Sequence, residues 1–277
     1  MNRTASVTNG DIPSIFDLTE NVALVTGAAA GLGRAIAIGL ARFGARVMAA
    51  DIDDSGLAQT VAAAGPLGDR ISPVHCDTGQ QDQIRDMFAR LDGQFGRINI
   101  LVNNVGLIAR AHPEDLALAD WERVLRINLT GTFLCAQEAG RRMMARGTGG
   151  SIINISSISG VTALGRGNVV YSTTKGAINQ LTRELAVEWA NHGIRVNAIL
   201  PAQMRTAWVE RMTSGPDADA LMKKLLDGIP LGRLGEPEDM VGPVVFLASK
   251  AGAFVTGTLL AVDGGNLALN AGGSLNA

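Results

Sequence analysis

The sequence predicts a doubly wound α/β domain, in which helices cover both faces of a seven-stranded parallel sheet. Short apolar runs alternate with longer segments of helical periodicity along most of the 277 residues. These runs are nearly continuous in Val, Ile, Leu and Ala, as expected for strands that are buried on both faces. No linker rich in Pro, Gly or Ser divides the chain, so we expect a single domain over residues 18–265.

Seven apolar runs are predicted to form the strands of this sheet. They are Val22–Thr26, Ala45–Ala50, Ile71–Cys76, Ile98–Val102, Ser151–Ser156, Ile194–Leu200 and Thr258–Val262. Helical periodicity between them is clear in Leu32–Phe43 and Val169–Asn191. Residues 1–17 are predicted to be a loose lead-in, and residues 266–277 a C-terminal tail.

The segment 202–230 breaks the alternation of strands and helices. It lies in a stretch of nearly sixty residues between the last two strands, and its helical part, Thr206–Gly228, is interrupted by Ser214-Gly215-Pro216. An insertion at the carboxyl end of a strand is typical of a substrate pocket or lid. An extra pair of surface helices without a functional role is the alternative.

Composition excludes several classes of function. With 47% hydrophobic and 18% charged residues the chain is expected to fold, and its net charge of −2 leaves no basic surplus for nucleic acid or an anionic membrane. Cys76 and Cys135 lie in apolar runs without a CxxC pattern, which favours reduced thiols, a cytoplasmic protein and no metal site. The polar N-terminus lacks a signal-peptide core, and no apolar run is long enough to span a membrane.

A glycine-rich turn follows the first predicted strand, Thr26-Gly27-Ala28-Ala29-Ala30-Gly31-Leu32-Gly33. Glycines there allow the backbone to approach a pyrophosphate, and the following helix presents free N–H groups to the negative charge. The spacing differs from GxGxxG, and the Lys-Ser/Thr of a P-loop is absent. By itself the turn fits a dinucleotide site and an ordinary tight turn equally well.

Asp51, at the end of the second strand, points to the cofactor. A carboxylate there accepts hydrogen bonds from the adenosine ribose and repels a 2′-phosphate, so NAD is favoured over NADP. Ala30 and Ile52 carry no charge that would offset this repulsion, although Arg34 and Arg46 are near in sequence. Alternatively, Asp51 begins a turn and caps the next helix, a role that Asp53 or Asp54 would fill as well.

Tyr171, the single tyrosine, precedes Lys175 by four residues within a predicted helix. Positions i and i+4 share a helix face, so the phenol and the ammonium point into the same space. A nearby ammonium lowers the pKa of a phenol and makes it usable as a general acid or base. Read without context, such a pair is more often a surface pair.

These features occur together with further motifs in a fixed order. They are Asp77, Asn103-Asn104-Val105-Gly106, Asn128, Ser157, Pro201 to Thr206, and Asp263-Gly264-Gly265. In order and spacing the chain resembles the classical short-chain dehydrogenase/reductase family from Leu18 to Gly265. Three departures are Ala202, where the family has glycine after the proline, Val105, where the family has alanine, and a loop between Ser157 and Tyr171 that is one residue longer than is frequent.

The resemblance implies a Rossmann-type domain, a homotetramer and a set of catalytic roles. Tyr171 would exchange a proton with the substrate oxygen while hydride moves between the nicotinamide and the carbon. Lys175 would lower the pKa of Tyr171 and hold the nicotinamide ribose. Ser157 would hydrogen-bond the substrate oxygen, with Ser156 and Ser159 as alternatives; the Ser-x-x-Gly160 pattern favours Ser157. Asn128 would hold a water that connects Lys175 to solvent.

The resemblance also implies the ligand contacts. With Gly27, Ala30, Gly31, Leu32, Gly33 and Asp51, the dinucleotide would contact Ile52, Asp77, Asn104, Gly106, Tyr171, Lys175, Pro201, Met204 and Thr206. Asp77 would reach the adenine and Thr206 the carboxamide, although Asp77 also suits a helix cap and Asn104 a link between central strands. The substrate contacts predicted are Ser157, Thr162, Asn168 and Trp208.

Three hypotheses of function follow. The first is an NAD-dependent dehydrogenase of a sugar, polyol or small hydroxy compound. The second is a 3-oxoacyl thioester reductase, which is disfavoured because such reductases mostly use NADPH. The third is a non-catalytic NAD(H) sensor or scaffold, which would have no need of Asn128, Ser157, Tyr171 and Lys175 together.

Overall fold

Seven parallel strands form one sheet in the order β3-β2-β1-β4-β5-β6-β7 in a computed structural model, which describes residues 14–206, Val209 and residues 218–269. The strands are β1 Val22–Thr26, β2 Arg46–Asp51, β3 Ile71–His75, β4 Ile100–Asn103, β5 Gly150–Ile155, β6 Ile194–Pro201 and β7 Leu259–Val262. The strand order reverses between β1 and β4, where doubly wound sheets bind ligands. The predicted fold class is confirmed, with strand ends shifted by one or two residues.

Helices connect these strands. They are α1 Gly31–Arg42, α2 Asp54–Ala63, α3 Gln81–Phe95, α4 Leu118–Val124, α5 Gly131–Arg146, α6 Val169–Glu188, α7 Ala218–Leu226 and α8 Val241–Ala248. A π-helical segment, Leu125–Thr130, joins α4 to α5. The helix predicted to reach Asn191 ends at Glu188, because the chain tightens into the 3₁₀ turn Ala190–His192 before Gly193, whose φ is +69°.

The hydrophobic core lies on both faces of the sheet. On one face Ile36 of α1 and Val244 of α8 belong to the same buried cluster as Val25 of β1. On the other, Phe88 of α3 clusters with Leu24, the neighbour of Val25 in the same strand. Successive strand residues point to opposite faces, so a sheet covered on both sides requires the continuous apolar runs seen in the sequence.

The ends of the predicted domain are packed as well. Ile15 accepts a backbone hydrogen bond from Ala251, so this part of the predicted lead-in is held against the domain. The Asn266 side chain donates to the carbonyl of Gly228 at the end of the insertion. Of this insertion, α7 and Val209 are described; Trp208 and the tail after Leu269 lie outside the described residues.

Three further expectations concern the described part of the chain. Its helices include none long and apolar enough to cross a membrane. No group of His, Cys, Asp and Glu within it is arranged to hold a metal ion. Cys76 and Cys135 are both buried and unpaired, and burial raises the pKa of the Cys76 thiol to about 12.

Candidate active site

The glycine turn brings the chain from β1 into α1 at the switch point of the sheet. Gly27 and Gly31 have φ of +68° and +52°, a region that L side chains rarely adopt. A Cβ on Gly33 would lie 1.9 Å from the carbonyl oxygen of Gly27, so α1 can approach the turn this closely only with glycine there. The turn leaves the first N–H groups of α1 open, which fits a pyrophosphate.

Asp51 ends β2 beside this turn. Its carboxylate accepts backbone hydrogen bonds from Ala29 (3.0 Å), Ile52 (2.8 Å) and Asp53 (3.1 Å). The cap of α2 is instead Asp53, whose Oδ1 accepts from the amide of Gly56 at 2.9 Å. The alternative role of helix cap therefore belongs to Asp53, and Asp51 holds its carboxylate in the wall of a cleft of about 340 Å³.

The two arginines near Asp51 in sequence have other contacts. Arg34 donates to Thr60 (3.0 Å) and to the carbonyl of Ala29, which ties α1 to α2. Arg46 lies at the opposite end of β2 from Asp51 and stacks over Phe95 at 4.5 Å from the ring centre. Arg46 is therefore too far away to offset the charge of Asp51.

Asp77 and Asn104 line the same cleft, together with Gly27, Ile52 and Gly106. The Oδ1 atom of Asp77 accepts from the amide of Gly79 at 2.8 Å. Asn104 donates from Nδ2 to the carbonyls of Thr26 (3.1 Å) and Gly27 (3.0 Å), which joins the end of β4 to the glycine turn. Both side chains are thus held in place by the fold while they face the cleft.

A second cavity, of about 260 Å³, surrounds the tyrosine and shares Asn104 and Gly106 with the first. The two cavities are therefore adjacent at the carboxyl ends of the strands. The predicted site residues that line the second cavity are Leu32, Asn104, Gly106, Ser157, Asn168, Tyr171, Lys175, Pro201, Met204 and Thr206. Val209 and Leu225 of the insertion also line it.

Lys175 is buried in the floor of this second cavity. Its Nζ donates to the carbonyl of Ile155 at 2.7 Å and lies 5.5 Å from the centre of the Tyr171 ring. Burial lowers the pKa of Lys175 to about 8, so the ammonium remains mostly charged at neutral pH.

The pKa of Tyr171 departs from the expectation. Burial raises the pKa of the phenol above its ordinary value, and the opposing effect comes from a hydrogen bond with Ser157. Lys175 was expected to lower this pKa, but its ammonium lies over the ring at 5.5 Å from the centre and is not among the groups that shift the pKa. In this structure Ser157 is the group that favours the phenolate.

The Ser157 hydroxyl is oriented by its own loop. Its Oγ accepts hydrogen bonds from the Ser159 amide at 3.1 Å and from the Ser159 hydroxyl at 2.8 Å. A hydroxyl that accepts two bonds directs its single proton elsewhere. Ser157 can therefore donate toward the phenol or toward a substrate oxygen in the cavity.

Asn128 lies in the π-helical segment and is fully buried. Its Oδ1 accepts from the amide of Leu107 at 2.7 Å, and its Nδ2 donates to the Leu107 carbonyl (2.9 Å) and the Thr174 hydroxyl (3.2 Å). The side chain thus joins the loop after β4 to α6 and does not line the cavity. The structure assigns it a positioning role, and the water-holding role stays a prediction.

Two expectations about the loops beside the cavity differ from the structure. Thr162 is exposed and lies outside the cavity lining, because the 3₁₀ turn Ile158–Gly160 ends just before it. Ala202 adopts no positive φ, so replacing the family's glycine does not strain this chain.

Arg110 and Arg166 line the cavity, although neither was predicted to do so. Their only sequence signals are the nearness of Arg110 to Gly106 and the location of Arg166 in the lengthened loop.

Comparison with known proteins identifies a matching family model and several related enzymes. A family model described as enoyl-(acyl carrier protein) reductase matches residues 27–266. The 2-dehydro-3-deoxy-D-gluconate 5-dehydrogenase of Escherichia coli is 38% identical, over 93% of this chain and 99% of its own length. D-threitol dehydrogenase of Mycolicibacterium smegmatis is 41% identical, over 90% and 94% of the two chains.

A solved structure agrees with these sequence relatives. A gluconate 5-dehydrogenase from Burkholderia cenocepacia, in complex with NADP and tartrate, superposes with a TM-score of 0.85. It is 33% identical, and the match covers 93% of this chain and 99% of that one. Sequence, fold and site geometry agree: the chain belongs to the classical short-chain dehydrogenase/reductase family.

Proposed function

We propose that the protein catalyses reversible hydride transfer between NAD(H) and the carbon of a secondary alcohol or ketone, in a sugar, polyol or small hydroxy compound. The observation that carries this proposal is the meeting of Ser157, Tyr171 and Lys175 in one cavity that adjoins the dinucleotide cleft. A bound nicotinamide supplies the hydride acceptor or donor. The chain supplies the proton and the binding of the reacting oxygen.

Tyr171 acts as the general acid and base in this proposal. In ketone reduction the protonated phenol donates to the developing alkoxide, and Ser157 donates a hydrogen bond to the same oxygen. In alcohol oxidation the phenol must first lose its proton. The hydrogen bond with Ser157 favours the resulting phenolate, and the Lys175 ammonium lies 5.5 Å from the centre of the ring.

NAD is the proposed cofactor because of Asp51. Its carboxylate lines the cleft, where the 2′-phosphate of NADP would bring a like charge next to it. Ala30 and Ile52 supply no compensating charge. The relative from Burkholderia cenocepacia holds NADP, so NADP is the alternative that an experiment must compare directly.

A homotetramer also remains part of the proposal. Two helices, α4 and α6, carry exposed apolar side chains that such an assembly would cover, Leu118 and Val187, which are 69% and 78% exposed. Sedimentation equilibrium is expected to give four times the chain mass of 28.8 kDa. A monomer mass would contradict this assembly.

The test of the activity is a spectrophotometric screen of reduced-cofactor absorbance with NAD(H) and NADP(H). The substrates are sugars, polyols, sugar acids, simple secondary alcohols and 3-oxoacyl thioesters. We expect turnover of a sugar- or polyol-type compound, with NAD preferred. Turnover confined to thioesters would support the reductase alternative, and dinucleotide binding without turnover of any class would support a sensor.

A further inference from the structure

Two arginines lie at the mouth of the cavity that holds Tyr171. Arg110 follows β4 and is exposed, whereas Arg166 is half-buried in the loop before α6. The Nε of Arg110 donates to Oδ1 of Asn168 at 3.2 Å, and Asn168 lines the cavity too. The guanidinium groups therefore belong to the wall of the cavity in which the reacting oxygen would lie.

A backbone contact fixes the two arginines near each other. The amide of Ala111 donates to the carbonyl of Gly167 at 3.2 Å, between the residues that directly follow Arg110 and Arg166. Gly167 has φ of +67°, and a Cβ there would lie 2.9 Å from the Ala111 carbonyl oxygen. The close pairing of these loops thus depends on glycine at position 167 and brings two cations together.

The electrostatics of this mouth favour an anion. Burial and then the charge of Arg166 lower the pKa of Arg110, as expected for two cations that repel each other. Lys175 adds a third positive group, and the described part of the lining contains no Asp or Glu. An anionic group bound between the two guanidinium groups would be attracted by both positive charges.

An anion bound by these arginines would belong to the substrate and not to the cofactor. The adenosine end of the cleft is lined by Asp51 and Asp77, whereas the arginines line the Tyr171 end. A 2′-phosphate would therefore lie in the other cavity. Guanidinium groups bind planar carboxylates with paired hydrogen bonds, which fits a small acid better than a neutral polyol.

We infer that the substrate is a sugar acid, whose carboxylate is bound at the cavity mouth by Arg110 and Arg166 while a hydroxyl farther along its chain reaches Tyr171 and Ser157. This inference rests on the proposed function and narrows its substrate class. The relatives include enzymes named for sugar acids and one named for a neutral polyol, so family membership leaves the choice open.

The experiment compares matched pairs of substrates that differ only in the acid group. The pairs are D-gluconate with D-glucitol, D-galactonate with galactitol, and D-threonate with D-threitol, each with saturating NAD or NADP. We expect a higher kcat/KM for the acid of the reacting pair. Arg166→Gln should lower this preference about 10-fold through the KM of the acid, since a partly exposed charged hydrogen bond is lost.

Two further variants separate charge recognition from structural damage. Arg166→Lys keeps the charge and should recover part of the preference, although it lacks the planar fork. Arg90→Gln removes the same charge from an exposed position of α3 and should leave the preference unchanged. Circular dichroism and NADH binding report whether each variant is folded.

The outcomes distinguish this inference from the proposed function. The sugar-acid inference alone is overturned if kcat/KM is equal for the acid and the polyol. It is also overturned if Arg166→Gln and Arg90→Gln change the preference for the acid equally. Turnover of simple ketones or polyols would then still support the proposed oxidoreductase. Absence of turnover with every alcohol and ketone would overturn both.

Discussion

The dinucleotide cleft and the substrate cavity are built differently, although they share Asn104 and Gly106. The cleft is formed where strands end, and its side chains are fixed by hydrogen bonds to the backbone, as at Asp51 and Asn104. The cavity is closed by long loops, including the one that carries Arg166. Ends of strands can be located from sequence, whereas loop conformations determine which side chains reach the cavity.

Gly33→Ala tests the close packing of the glycine turn in the cleft and has the largest expected effect. The added Cβ would meet the carbonyl oxygen of Gly27 at 1.9 Å, so the free energy of unfolding should fall by about 3 kcal/mol or more. NADH binding should weaken as the turn shifts. Urea denaturation and NADH fluorescence measure the two effects.

The matched control is Gly165→Ala in the substrate loop. Gly165 has φ of +60°, but apart from its chain neighbours no atom of the described residues lies within 4 Å of the position that a Cβ would take. The cost should therefore be about 1 kcal/mol, from the backbone conformation alone. If both substitutions lower the free energy of unfolding equally, close packing against Gly27 is not the reason that position 33 requires glycine.

The buried Lys175 gives the cavity a pH dependence. Its folded-state pKa of about 8 lies below that of an unfolded lysine, so the folded protein binds fewer protons than the unfolded chain above pH 8. Stability should therefore rise by about 2 kcal/mol between about pH 8 and about pH 10, relative to the variant Lys175→Met. The raised pKa of Tyr171 opposes this rise above about pH 10.

Denaturation of both proteins at several pH values measures this effect. Lys250→Met, a substitution at an exposed lysine, serves as the control and should retain the slope of the unmodified protein. A slope that Lys175→Met leaves unchanged would mean that burial does not disfavour the charge of Lys175.

Asp51→Ala tests the cleft through cofactor choice. Removing the carboxylate should raise the ratio of kcat/KM for NADP over NAD about 10-fold, equivalent to about 1.4 kcal/mol. Asp53→Ala removes a charge two residues away and the cap of α2, and should leave this ratio unchanged while it lowers stability by about 1 kcal/mol. If the two substitutions change this ratio equally, the cofactor preference depends on the overall negative charge of the region and not on Asp51.

The sequence predicts the sheet and the cleft because both depend on local patterns. Buried strands require continuous apolar runs, and Asp51 and Asp77 could be located because each lies at or just after the end of a strand. Thr162 and Arg166 lie in one loop, where a 3₁₀ turn and the pairing of Gly167 with Ala111 leave Thr162 exposed and bring Arg166 to the cavity. The contact between Gly167 and Ala111 corresponds to no periodic pattern in the sequence.

The pKa of Tyr171 shows a second limit of the sequence. The spacing of Tyr171 and Lys175 correctly indicates that they share a helix face, and their side chains do approach each other. It does not show that Lys175 Nζ is bonded to Ile155 or that burial raises the pKa of the phenol. Those effects depend on neighbours that are distant in the chain.

Tyr171 exchanges the proton in the proposed hydride transfer, and the variant Tyr171→Phe tests this role most directly. The measurement is the rate of NADH formation with a substrate found in the screen, together with NADH binding by fluorescence. We expect a fall in kcat of about 10²- to 10⁴-fold, with NADH affinity within a few-fold of the unmodified protein. Turnover that persists at a similar rate in this variant would contradict the role of Tyr171.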